Sequence, residues 1–169
     1  MQAEAQQPQE WRSRREPGAV EAPHAKGPNV PEGQRLPRAT DKPDADYGGI
    51  WSGVRGDSDW YSDVEAVNKI TNYEPIPFRR GFPNFSQWAK ARVFGKVTGN
   101  NDIDFAAADD AMAKQWGFAS KSAFEGWRVA NKLTWHHVEG MQEQQLIPFD
   151  LNDKVPHVGG AAQARGAKL

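Results

Sequence analysis

From Trp135 to Gly160 the chain reads Trp-His-His-Val-Glu-Gly-Met-Gln-Glu-Gln-Gln-Leu-Ile-Pro-Phe-Asp-Leu-Asn-Asp-Lys-Val-Pro-His-Val-Gly-Gly, and three of its four histidines, His136, His137 and His157, fall inside this stretch. Imidazole changes charge near neutral pH and is the commonest side chain for holding a metal, so the concentration points to chemistry. The segment predicts a strand over Leu133 to Val138, a turn through Glu139-Gly140-Met141, a second strand over Gln145 to Pro148, and a short helix over Leu151 to Val155. Asp150 is placed to cap that helix and Pro156 to bend or end it. Asn152 and His157 are five apart, more than a quarter turn on an ideal helix, and a break at Pro156 can bring them to one side. A strand, strand, helix cup results, about one metal ion wide, with two histidines at its start and Asn152 and His157 across from them.

Upstream the chain changes character at Tyr47. Residues 1 to 46 carry seven prolines, mixed charge and Trp11 as their one aromatic. Such a segment buries too little apolar area to offset its ordering entropy, so it reads as a disordered linker or tail. Residues 47 to 163 read as one domain, with the cup at about 133 to 160, and 164 to 169 as a C-terminal tail. The glycines and indoles of Gly48 to Trp60 suit a tight loop packed under two tryptophans. Ser62 with Glu65 forms a capping box opening a short helix through about Ile70. Pro75, Pro77 and Pro83 keep Tyr73 to Phe85 extended, with Arg79 and Arg80 as an exposed basic pair. Gln87 to Val97 fits a strand, and Gly99-Asn100-Asn101 turns the chain. Asp102 to Trp116 is the clearest helix, with Phe105, Ala108, Met112 and Trp116 at helical spacing, Asp104 available as a cap and Gly117 as its stop. Ser122 to Lys132 forms another, with Phe124 and Trp127 toward the core. The fold class is α+β.

Composition removes several alternatives. The chain has no cysteine, so neither disulfides nor a thiolate zinc site can hold it. No apolar run is long enough to span a bilayer, and the N-terminus lacks a secretory signal pattern, so export would need a dedicated secretion machinery or a larger parent polypeptide. The net charge of -1 excludes a bulk electrostatic grip on nucleic acid; any basic surface is local. Arg55, Arg79, Arg80, Lys132 and Lys154, with Lys90, Arg92 and Lys96, could line a phosphate track, although each alone is an ordinary solvated cation.

Trp135-His136-His137, the apolar-Pro segment Leu146-Ile147-Pro148, and Asp150-Leu151-Asn152 through Val155-Pro156-His157-Val158-Gly159-Gly160 resemble the signature of the WHH branch of the HNH/endonuclease VII superfamily, whose ββα-metal (His-Me finger) motif sits in toxin domains of bacterial polymorphic and secreted effectors. Weaker resemblance extends through Trp51-Ser52-Gly53 with Arg55-Gly56, Phe82-Pro83-Asn84-Phe85, and Thr98-Gly99-Asn100 leading to Asp104-Phe105. One departure stands out: Asn152 occupies a position that is usually histidine in that branch. Other HNH nucleases use asparagine there as a ligand through its oxygen, which hardens the site and favours Mg²⁺ or Mn²⁺ over Zn²⁺ or Ni²⁺.

The resemblance implies a metal-dependent, largely sequence-tolerant DNA endonuclease, a secreted effector acting in the cytoplasm of a target bacterium and silenced at home by an immunity protein, with no membrane partner. It makes His137 the general base and His136 and Asn152 metal ligands, while His157 completes the shell or protonates the leaving group. Adjacent residues on a strand point to opposite sides, so the roles of His136 and His137 could be exchanged. Glu139 is either a carboxylate behind an imidazole or a metal-bound water, or a solvated turn residue. An RNase toxin would use the same residues, because the finger grips phosphate. A catalytically inactive module that binds metal or nucleic acid is the reading from another class.

Overall fold

A computed structural model describes residues 49–157. The expected linker at 1 to 46, the tail at 164 to 169 and the Gly159-Gly160 pair lie outside the described residues. Those described form a small mixed α+β architecture with two antiparallel sheets and four α-helices. They divide into two compact units, residues 49–84 with 153–157, and residues 85–152.

In the first unit a four-stranded sheet runs in sequence order through β1 (Gly49–Trp51), β2 (Asp59–Ser62), β3 (Ile76–Arg79) and β4 (Phe82–Pro83). The loop expected under two indoles is in fact a hairpin: Trp51 pairs with Trp60 across β1 and β2, and both rings are fully buried. Burial alternates along β2, and that period of two built the strand where the glycines suggested a coil. At Gly49 a Cβ would collide with the Tyr61 carbonyl oxygen and the Trp60 indole, so only glycine lets the strands close there. Arg80 and Gly81 both have positive φ, 53° and 84°, and form the two-residue turn between β3 and β4.

Helix α1 (Glu65–Thr71) departs from the expected capping box. Its N-cap is Val64, without a side-chain cap; Ser62 Oγ instead accepts from the Val64 N–H at 2.9 Å. The reason is that Ser62 already ends β2, paired with Gly49.

The second unit is built on β5 (Ala91–Phe94), β6 (Leu133–His137) and β7 (Glu143–Pro148), in the order β5-β7-β6. The strand expected over Gln87 to Val97 is confined to Ala91–Phe94, because Ser86–Trp88 takes a 3₁₀ turn. Helix α2 (Asn101–Trp116) is capped by Asn100, whose Oδ1 accepts from the Asp102 and Ile103 N–H groups, not by Asp104. Gly117, at φ 72°, ends it as expected. Helix α3 (Lys121–Ala130) starts one residue before the expected position because Ser120 caps it, and stops short of Lys132. The core joins Ala108, Met112, Phe124, Trp135 and Leu146; Trp116 is 41% exposed, so the apolar stripe of α2 is core only in its middle. After β7, α4 (Phe149–Lys154) begins one residue before Asp150, which therefore lies inside the first turn, where its charge complements the helix dipole.

Candidate active site

The β6–β7 hairpin sets the geometry. His136 pairs with Gln145 and His137 with Gln144, so the pleat sends the two adjacent imidazoles to opposite faces of the sheet. Both rings are buried, each with 5% exposure.

On the face toward α2, Trp135 and His137 are each held by a carboxylate from that helix. Trp135 Nε1 donates to Asp109 Oδ1 at 2.7 Å, and His137 Nε2 lies 2.9 Å from Asp104 Oδ2. Asp104 also accepts from the Thr98 N–H (2.9 Å), the Thr98 hydroxyl (2.8 Å) and the Gly99 N–H (2.9 Å). Burial alone would push its carboxyl up, but the hydrogen bonds from Thr98, His137 and Gly99 outweigh that and hold the pKa below the ordinary carboxylate value. An ionised carboxylate can only accept, so Nε2 of His137 carries a proton. Phe105 stacks on the imidazole with centroids 5.6 Å apart, fixing its plane. Gln144 donates to the Asp104 backbone carbonyl, while its Oε1 is buried without a hydrogen-bond partner among the described residues.

On the other face, His136 Nδ1 lies 3.2 Å from Asn152 Oδ1 and its ring meets Phe85 edge-on at 5.0 Å. Helix α4 positions Asn152, anchored at its start by the Phe149 N–H donating to the Lys132 carbonyl at 2.8 Å. Gln145, beside His136, donates to Ser86 Oγ and to Glu143 Oε1.

Residues 76–159 match the family model of the DNase/tRNase domain of colicin-like bacteriocin. The segment is similar to a nuclease toxin domain. Comparison with curated proteins and with solved structures gives no match. Within the nuclease-like segment fall β3 through α4, and with them Asp104, His136, His137, Asn152 and His157. Among the described residues no helix is long and apolar enough to cross a membrane.

Of the residues singled out in the sequence, the structure joins His136 to Asn152 and ties His137 to Asp104. His157 belongs to the first unit, where Nδ1 donates to the Val155 carbonyl at 2.5 Å. Glu139 is exposed on the turn of the nuclease-like hairpin. Lys132 is exposed before β6 with φ 53°, and Lys154 lies 3.4 Å from Asp153. Arg79 and Arg80 are exposed in the first unit, Arg79 at 3.9 Å from Asp59, and Arg55 is half-buried there.

Among the described residues no three His, Asp or Glu side chains gather as metal donors, but the His136–Asn152 pair does suit a cation. Imidazole nitrogen and amide oxygen are both ligand types, and two neighbouring ligands with bonds of about 2.1 Å at right angles stand about 3 Å apart, close to the 3.2 Å found. Sequence reasoning missed Asp104 as a site residue by reading it as a helix cap. Its signal was the Thr98-Gly99-Asn100 to Asp104-Phe105 pattern, whose backbone amides now prove to clasp the carboxylate.

Proposed function

We propose that the chain is a metal-dependent endonuclease toxin of the HNH type, acting on DNA, with His137 as general base. The observation that carries the reading is the His137–Asp104 pair, a buried imidazole whose tautomer is set by an ionised carboxylate. In this reading the His137 imidazole takes the proton as water attacks phosphorus, the new P–O bond forms and the bond to the leaving oxygen breaks. Asp104 keeps Nε2 protonated and stabilises the imidazolium that results, as an orienting carboxylate does for a catalytic histidine. His136 and Asn152 hold one divalent metal, Mg²⁺ first and Mn²⁺, Zn²⁺ or Ni²⁺ as alternatives. Bound there, the cation supplies charge neutralisation for the phosphorane-like transition state. A phosphate at the end of the hairpin reaches both adjacent imidazoles in this reading, although they leave the strand on opposite faces.

His157 enters the proposal from its spacing in the sequence alone, as a further ligand or as the acid for the leaving oxygen. Glu139, exposed on the turn, enters as a carboxylate that anchors an imidazole or a metal-bound water. The setting is a secreted effector that acts in the cytoplasm of a target bacterium and is held inactive by a cognate immunity protein; the colicin-like match supports it. The same family description names tRNase beside DNase, which favours RNA as the second substrate reading.

Plasmid nicking with Mg²⁺, run beside an RNA substrate, tests the proposal. Wild type should nick, His137→Ala should lose about 10²-fold or more while still binding Mn²⁺, and His136→Ala should lose Mn²⁺ binding. Equal cleavage by wild type and His137→Ala would remove His137 as base. A reversed pattern of metal binding would exchange the two histidines.

A further inference from the structure

Among the described residues strand β5 has only β7 as a neighbour, and its residues alternate between two environments. Ala91 and Val93 pack against the apolar core cluster, whereas Arg92 and Phe94 are exposed. At 72%, Phe94 is the most exposed of the large hydrophobic side chains among the described residues. Lys90 and Lys96 stand exposed at either end of the strand. The register places this row relative to the site: Arg92 pairs with Gln145, and Gln145 with His136, so the three share one face of the sheet. Two strand spacings of about 4.8 Å separate the Arg92 and His136 backbones.

We propose that the outward face of β5 is a binding track for a nucleic-acid strand with unpaired bases, with Phe94 as the stacking platform and Lys90, Arg92 and Lys96 as phosphate contacts. The proposal deepens the nuclease reading of this sheet and rests on it. An aromatic ring flanked by cations matches the two features that every single strand offers, a base face and a phosphate. A duplex offers the phosphates but keeps its bases in the stack, so the exposed ring distinguishes the two substrates. The one acid of the row, Glu143, lies 3.6 Å from Arg92 in a pair whose arginine is 44% exposed. Such a pair is weak in water and yields the guanidinium to phosphate readily.

Fluorescence anisotropy on the full chain in EDTA, with short labelled single-stranded DNA, single-stranded RNA and duplex DNA, measures binding apart from cleavage. Phe94→Ala should weaken single-strand binding about 5- to 30-fold and leave duplex binding unchanged, and Phe94→Trp should restore it. Lys90→Ala and Arg92→Ala should each lower the salt dependence of single-strand binding by about 0.7 in the log–log slope. Equal single-strand affinity for wild type and Phe94→Ala overturns the proposal, as does absence of single-strand binding. A change in oligomeric state in place of affinity also overturns it and assigns the ring to a second copy. Single-strand binding that depends on Phe94, with no cleavage after Mg²⁺ is added, sinks the nuclease reading and leaves the track. Cleavage with Phe94-independent binding does the reverse.

Discussion

The face of the β5-β7-β6 sheet that carries Trp135 and His137 differs from the face that carries His136 in how its polar groups are held. Toward α2 every polar side chain of β6 ends on a buried carboxylate: Trp135 on Asp109, His137 on Asp104. Asp109 in turn receives Arg128 through two 2.8 Å hydrogen bonds, and that guanidinium sits 6.0 Å from the Phe105 centroid on the ring that stacks against His137. On the opposite face His136 meets the Asn152 amide, Gln145 meets the Ser86 hydroxyl and the half-buried Glu143 carboxylate, and the row runs outward to exposed Arg92 and Phe94. One face is built to hold an imidazole still. The other carries a row that starts at buried His136 and Gln145 and ends at exposed Arg92 and Phe94, with partners that can be exchanged for a cation or a phosphate.

The strongest way to break this contrast is Asp109→Ala. It leaves the Arg128 charge and the Trp135 N–H buried without a partner, and should cost about 3–5 kcal/mol in urea unfolding. Asp110→Ala, which removes the exposed pair with Lys114, should cost under about 1 kcal/mol. Similar losses for both would mean that the α2 side is not the rigid one. Next comes Asp104→Asn, which keeps the shape but frees His137 to take either tautomer; cleavage should fall on the order of 10²-fold. Because the folded pKa of Asp104 is depressed, its contribution to stability is present above the ordinary value of about 3.9 and is lost as pH falls through the depressed one. Thermal unfolding of wild type and Asp104→Asn should therefore converge at strongly acidic pH and separate above it. Parallel curves would show that the carboxylate is not held ionised.

Much of this second unit was legible in the sequence because its signals are local. The Leu133 strand, the Glu139-Gly140-Met141 turn, the Gly117 stop and the short helix carrying Asn152 each depend on residues within a few positions of one another. The β1–β2 hairpin was not legible: its glycines read as coil, and what makes it a strand pair is the burial of Trp51 opposite Trp60. Asp104 failed for a related reason. In sequence it is one of several acids near a helix start, and its pairing with His137, 33 residues away, exists only once α2 packs on β6. The closeness of His136 and Asn152 was legible, because a hairpin followed at once by a helix leaves the chain few other ways to turn.

The outer face should respond to metal where the inner one does not. If His136 and Asn152 hold a divalent cation, Mg²⁺ or Mn²⁺ at about 100 times Kd should stabilise wild type by about 2.7 kcal/mol, and EDTA should remove that gain. Asn152→Ala should lose most of the metal-dependent rise in Tm while its metal-free Tm stays near that of wild type, since Asn152 is only partly buried. Asn152→Asp, with a charged oxygen in the same place, should keep the rise. A metal effect that survives Asn152→Ala but vanishes in Asp104→Asn would move the cation to the other face.

The smallest expected effect is the most specific to the outer face. Glu143 lies 3.6 Å from Arg92 and accepts a 3.0 Å hydrogen bond from Gln145. Glu143→Gln keeps an acceptor for Gln145 and removes only the charge, so stability should change by less than about 1 kcal/mol. The same change takes an anion away from a row that binds phosphate, so single-strand affinity should rise by a few-fold at low salt and by less as salt screens the charge. A loss of several kcal/mol, or affinity unmoved at low salt, would mean that Glu143 and Arg92 lock the strand edge as Asp109 and Arg128 lock the helices. The two faces would then be alike.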